Sequence, residues 1–241
     1  MRWLRTIVVF DRGNVISSSD WQAIHESYVR SIQRIDFPEG TGTLTLRRKA
    51  RRGDGQWNRN GVGYLKNRFI AHMITDEKWD REGGFDLGRN RLPPKLRLYP
   101  SLEPHREPIT SEFGGFDFVT TASEGTRVGI EWETGNISSS HRSMNKLAFA
   151  LAKGNLNAGV LIVPSRVLYE HLTDRVGNIG ELSGYLEMWK DHQTRVKRGL
   201  LAISVVEHDQ LTDDAKFSYL PSGDDGRARE GRSKRRRPRK G

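Results

Sequence analysis

The chain has 241 residues, 40 of them Lys or Arg and 30 Asp or Glu, for a formal net charge of +10, and only 35% are apolar. That length supports one well-cored domain, while the lack of cysteine excludes disulfides and thiolate metal sites. No run approaches the roughly 18–20 consecutive apolar residues that span a bilayer. The opening M-R-W-L-R-T-I-V-V-F-D-R is too short in apolar residues for a signal peptide. Together these features fit a cytoplasmic protein with no membrane partner. The charge is uneven, with nine Lys or Arg against three Asp or Glu from Ser222 onward, and a second cluster, R-R-K-A-R-R, at 47–52. Runs of this kind are either solvated surface or contacts for a polyanion, since Lys and Arg that neutralise phosphates supply salt-dependent affinity.

In chain order, T-I-V-V-F (6–10) reads as a strand, and Ser19 with Gln22 forms a capping box that opens a helix through about Arg34. T-L-T-L (43–46) alternates as a strand does, and G-D-G-Q-W-N-R-N-G (53–61) is a loop. Leu65, Phe69, Ile70 and Met73 keep helical spacing, which predicts a helix from Gly63 to Asp76. The proline-rich stretch 83–110 is irregular. F-D-F-V-T-T (116–121) and R-V-G-I-E-W-E (127–133) flank A-S-E-G-T as a hairpin. Ser138, Ser139 and Ser140 offer N-caps for a helix ending near Lys153, with Gly154 as its stop. A-G-V-L-I-V-P (158–164) is a buried strand, which makes the unit a parallel strand–helix–strand crossover. Ile179, Leu182, Leu186 and Trp189 mark one more amphipathic helix, and L-L-A-I-S-V-V (200–206) another strand. The expected fold is α/β: a single domain over 1–221, with a central mixed β-sheet flanked by helices. A basic C-terminal arm over 222–241 follows, expected to be disordered when free.

The centre also carries the chemistry. Alternation sends Glu131 and Glu133 to one face of their strand, roughly 6–7 Å apart. Asp117 sits on the hairpin partner, so antiparallel pairing would gather three carboxylates on one patch. Unpaired, they would raise one another's pKa; a divalent ion such as Mg²⁺ would remove that penalty. The plainer alternative is an exposed acidic face paired with nearby Arg and Lys. The spacing D-x13-E-x-E resembles the core of the PD-(D/E)xK nucleases, with Glu133 where that superfamily usually has lysine. Glutamate cannot neutralise a developing oxyanion; it could orient the attacking water, accept its proton or bind a second metal ion.

A longer block, V-G-I-E-W-E-T-G-N-I-S-S-S-H-R-S-M-N-K-L (128–147), resembles the BamHI family of type II restriction endonucleases, the branch of that superfamily marked by the glutamate. The likeness continues at L-T-D-R-V (172–176), and upstream at N-G-V (60–62), Lys66 and W-D-R-E (79–82). The resemblance implies Asp117, Glu131 and Glu82 as ligands for one or two Mg²⁺ ions, Glu82 as a fourth active-site carboxylate, and Glu133 as the group that activates water. It implies hydrolysis of double-stranded DNA to 3′-hydroxyl and 5′-phosphate ends, at the palindrome GGATCC cut after the first G. Asn136, Ser138, Arg142, Asp174 and Arg175 match the family's base-reading set, with Lys146 and the arm residue Asp225 as further DNA contacts. Side chains of these types read base edges directly.

A palindrome read by identical subunits implies a two-fold homodimer, through helices corresponding to regions near 142–153 and 180–190. There Ala152, Lys153 and Lys190 depart from the family pattern while Glu187 keeps it, so the interface ion pairs must be rearranged. A DNA methyltransferase protecting the host genome is implied as a partner in the cell. The competing readings are a PD-(D/E)xK nuclease of other specificity, as in repair or junction resolution, and a non-catalytic DNA-binding relative.

Overall fold

We describe residues 1–83, 99–101, 115–173 and 175–221 of a computed structural model, the side chains of 81–83 excepted. The arm at 222–241 and most of the proline-rich stretch lie outside them. In chain order come β1 (Arg2–Arg12), α1 (Ser19–Gln33), the short strands β2 (Thr45–Arg47), β3 (Ala50–Arg51) and β4 (Trp57–Asn58), and α2 (Gly63–Thr75). Then follow β5 (Asp80–Gly83), β6 (Phe116–Thr121), β7 (Arg127–Trp132), α3 (Ile137–Ala152) and β8 (Ala158–Pro164). Last are the short helices α4 (Arg166–Tyr169), α5 (Ile179–Leu182) and α6 (Leu186–Asp191), β9 (Gly199–Glu207) and β10 (Gln210–Thr212).

Six strands form one sheet in the order β1-β9-β8-β7-β6-β5. It is mixed, as expected: β7, β8 and β9 run parallel, while β5–β6, β6–β7 and β1–β9 pair antiparallel. Period-two alternation assigns the two faces of the sheet. Val128, Ile130, Trp132, Val160 and Ile162 join Trp21, Tyr28, Ile32, Leu65, Phe69 and Met73 of α1 and α2 in one core. Leu161, Val163, Ile203 and Val205 join Met144, Leu147, Leu151 and Trp189 of α3 and α6 in the other. This double cover is why β8 and β9 read as continuous apolar runs rather than alternating ones. Phe69 docks α2 onto the hairpin, with its ring 5.7 Å from Phe118 and 4.7 Å from Trp132.

Some local expectations shift. Helix α1 is capped by Ser18, whose side chain accepts from the Trp21 N–H, rather than by a capping box on Ser19. Helix α3 is capped by Asn136, whose Oδ1 accepts from Ser138 N at 3.0 Å and Ser139 N at 3.3 Å, so the serines are the capped residues. It stops at Gly154 (φ 73°), the left-handed conformation that glycine takes without strain. The amphipathic helix expected over 179–189 is broken into α5, a 3₁₀ turn and α6. Strand β10, which pairs in parallel with β2, is too short to show a period in the sequence. Among the described residues, no helix is long and apolar enough to cross a membrane.

Candidate active site

The hairpin register aligns the acids. Phe118 pairs with Ile130, so continuing one residue along the ladder sets Asp117 opposite Glu131. On the other side, Arg81 pairs with Phe118 and Gly83 with Phe116, which puts the backbone of Glu82 level with Asp117. Three neighbouring strands thus carry acidic residues in one row. The Glu82 side chain lies outside the described residues.

Each described carboxylate has its own partners. Asp117 Oδ2 accepts the Trp132 N–H at 2.8 Å, and Oδ1 pairs with Lys66 Nζ at 2.8 Å. Glu131 is 8% exposed and ion-paired with Lys146, itself 8% exposed. The Lys146 ammonium also donates to Gly115 O at 2.7 Å and sits 4.7 Å from the Phe116 ring centroid. Burial pushes the Glu131 carboxyl up to about 7; the nearby Asp117 charge raises it further, while Lys146 and Lys66 oppose the shift.

Glu133 lies just past β7, its N–H still bonded to Ile162 O at 3.0 Å. Its carboxylate accepts the Gly135 N–H at 2.6 Å and interacts with the buried Ser140 hydroxyl. Burial raises its pKa; Ser140, Gly135 and the charge of Lys66 pull it back. The three-carboxylate patch expected on the hairpin therefore does not form, and no cluster of three or more metal-binding side chains occurs among the described residues. The chain turns at Thr134–Gly135, so Glu133 folds back onto that turn while Asp117 and Glu131 face each other.

The base-reading candidates gather beside this turn. Asn136, Ser138 and Arg142 are exposed at the start of α3. Asn136 forms a backbone bridge to Val176, and Gly177 N donates to Gly135 O at 2.9 Å. Arg175, exposed and with φ 49°, thereby joins residues nearly forty positions away in sequence. Gly177 has no room for a side chain: a Cβ there would overlap the Ser140 hydroxyl and lie 3.3 Å from the Ile137 Cα. Behind the loop, fully buried Asn60 accepts from Thr173 N and donates to His171 O through its backbone, both at 2.8 Å. Asp174 and Asp225 lie outside the described residues. Lys146, expected among the DNA contacts, is instead buried against Glu131.

Sequence reasoning missed three contributors. It reads Lys146 as a DNA contact and Ser140 as a possible cap, and gives Gly177 no role; only folding reveals that all three pack against the acidic residues or their turn. Lys66 is marked by its resemblance alone, because a single half-buried lysine beside the apolar stripe of a helix carries no distinguishing sign in the sequence.

Two opposed acids, one with a raised pKa and two lysines close by, suit a hard cation with oxygen ligands, and the adjoining amides and guanidinia suit base edges. Comparison with known proteins bears on that chemistry. A family profile described as "Restriction endonuclease BamHI" matches residues 1–227. Type II restriction enzyme OkrAI of Oceanobacter kriegii is 35% identical over 198 residues, covering 82% of this chain and 85% of that protein. Type II restriction enzyme BamHI of Bacillus amyloliquefaciens is 52% identical over 131 residues, 54% of each. Among solved structures, restriction endonuclease BglII complexed with a DNA 16-mer aligns at 9% identity with a TM-score of 0.49, covering 90% of this chain and 88% of that one.

Proposed function

Because the chain belongs to the family of restriction endonuclease BamHI, and so is a type II site-specific deoxyribonuclease of double-stranded DNA, we propose that it cuts GGATCC after the first G on each strand, as a Mg²⁺-dependent homodimer. The observation that carries the reading is the join between the acids and the base-reading segments. One turn, 133–136, holds Glu133 and Asn136, and its backbone bonds to Val176 and Gly177 bring the Arg175 loop alongside. In this reading recognition and hydrolysis share one hydrogen-bonded turn.

Family membership implies dependence on a divalent metal, and the residues present suit one. Glu131 is disfavoured as a buried anion, and its row neighbours are acids rather than apolar groups. Asp117 and Glu131, with Glu82 alongside, would hold Mg²⁺, which supplies positive charge and acidifies bound water. In hydrolysis a P–O bond forms to the attacking water and the P–O3′ bond breaks, leaving a 5′-phosphate. Glu133 accepts the water's proton, and the departing 3′-oxygen is protonated from solvent. Burial suits Glu133 to this role, since a raised pKa makes it a stronger base. Asn136, Ser138, Arg142, Asp174 and Arg175 read bases, with Asp225 and the arm following DNA beyond them. A protecting methyltransferase accompanies the enzyme in its host.

Digesting DNA of known sequence with Mg²⁺ and sequencing the ends tests the proposal. Four-base 5′ overhangs at GGATCC are expected, with none from Glu131→Ala. Defined ends at another sequence would overturn the target assignment and leave the nuclease chemistry standing.

A further inference from the structure

Glu133 occupies the position where related nucleases place a lysine, which leaves open what supplies positive charge to the phosphate besides metal. We propose that Lys66, from helix α2, is that group: in the DNA complex its ammonium leaves Asp117 and contacts the scissile phosphate. The inference rests on the nuclease reading and adds a catalytic residue to it. Position is the first argument. Phe69 is wedged against Phe118 and Trp132, and Lys66, three residues earlier, lies on the same side of α2. Its Nζ sits 2.8 Å from Asp117 Oδ1, and its charge also acts on Glu131 and Glu133. Lys66 thus contacts Asp117 directly and lies near enough to Glu131 and Glu133 for its charge to act on both.

Availability is the second argument. Lys146, the other lysine at the site, is enclosed by Glu131, Gly115 and the Phe116 ring, so leaving would strand a buried charge. Lys66 has a side chain 26% exposed, and Asp117 is the one partner of its ammonium among the described residues. Once Asp117 ligates metal, that oxygen is shared with a stronger cation and the ammonium is free to turn to the phosphate. No proton transfer is assigned to Lys66; it offsets negative charge as the P–O bond forms.

The test uses the full chain with Lys66→Met and Lys66→Arg. Three quantities are measured: single-turnover cleavage at saturating Mg²⁺, DNA affinity with Ca²⁺ in place of Mg²⁺, and Mg²⁺ affinity by calorimetry without DNA. Lys66→Met should slow cleavage by about 100-fold or more, a magnitude typical of losing one electrostatic donor. DNA affinity should stay within a few-fold, and Lys66→Arg should recover part of the rate. Wild-type cleavage by Lys66→Met together with tighter Mg²⁺ binding would overturn the proposal, reducing Lys66 to a placeholder for the ion. If Lys66→Met fails to fold by circular dichroism, Lys66→Gln serves in the same comparison. Absence of cutting by the wild-type chain would instead defeat the nuclease reading itself.

Discussion

Replacing Glu131 with glutamine separates what this residue does for chemistry from what it does to the fold. Its carboxyl is displaced from 4.5 to about 7, mainly by burial. A carboxyl whose pKa is raised on folding stabilises the protein at low pH, and that contribution disappears as the pH climbs through the folded value. Working the linkage between pH 5 and pH 8 with those two values gives a loss of roughly 2–3 kcal/mol from this one group. Glutamine does not titrate, so the stability difference between Glu131→Gln and the wild type should move in the mutant's favour by about that amount over the interval. The absolute difference also contains the loss of the Lys146 partner, which is why the change with pH is the quantity to read. Urea denaturation of both proteins at pH 5, 6, 7 and 8, in EDTA to exclude metal, gives it directly. Parallel stability profiles would refute the reasoning, since they would mean that Glu131 enters the fold without penalty. Cleavage should be absent in the mutant at every pH.

Gly177→Ala should fold but cut poorly: the added methyl meets the Ser140 hydroxyl and the backbone of Ile137, so about 1–3 kcal/mol of overpacking falls on the join between the Arg175 loop, proposed to read bases, and Glu133. Cleavage rates beside a thermal melt check it. Asn136→Ala removes the cap of α3 and should lower stability by about 1 kcal/mol, while also relaxing the choice of target; melting and a digest of near-cognate sites measure the two effects. Deleting 227–241 removes nine Lys or Arg. The salt dependence of DNA binding should then flatten, its slope falling by roughly 0.9 for each phosphate that the arm neutralises, with the cut position unchanged. A titration of binding against salt would settle that.

Periodicity made much of this fold readable before any coordinates. The hairpin 116–133, the α3 crossover and the apolar runs of β8 and β9 announce themselves because strand and helix periods differ and the sheet is buried on both faces. Helix 179–189 misled because apolar spacing reports which residues face a core, not whether the backbone between them stays helical through Ser183–Tyr185. Within the site, alternation correctly paired Asp117 with the strand of Glu131, yet it placed Glu133 beside them. Period-two reasoning holds only while the strand continues, and here the turn at Gly135 redirects that side chain. The pairing of Lys66 with Asp117 and of Lys146 with Glu131 was not legible because it arises from helices docking over the sheet, a relation that sequence distance conceals.

The bond between Gly135 and Gly177, with the bridge from Asn136 to Val176 beside it, constrains how such an enzyme can change its target. In the proposed reading, the residues assigned to the bases are stitched by main chain to the segment bearing Glu133, the proposed general base. A substitution that re-aims the loop therefore disturbs hydrolysis at the same time. Laboratory searches for altered specificity in this scaffold should recover inactive proteins far more often than retargeted ones. Useful variants should keep the stitched backbone and the Asn136 cap, and change only the exposed side chains of Ser138, Arg142 and Arg175.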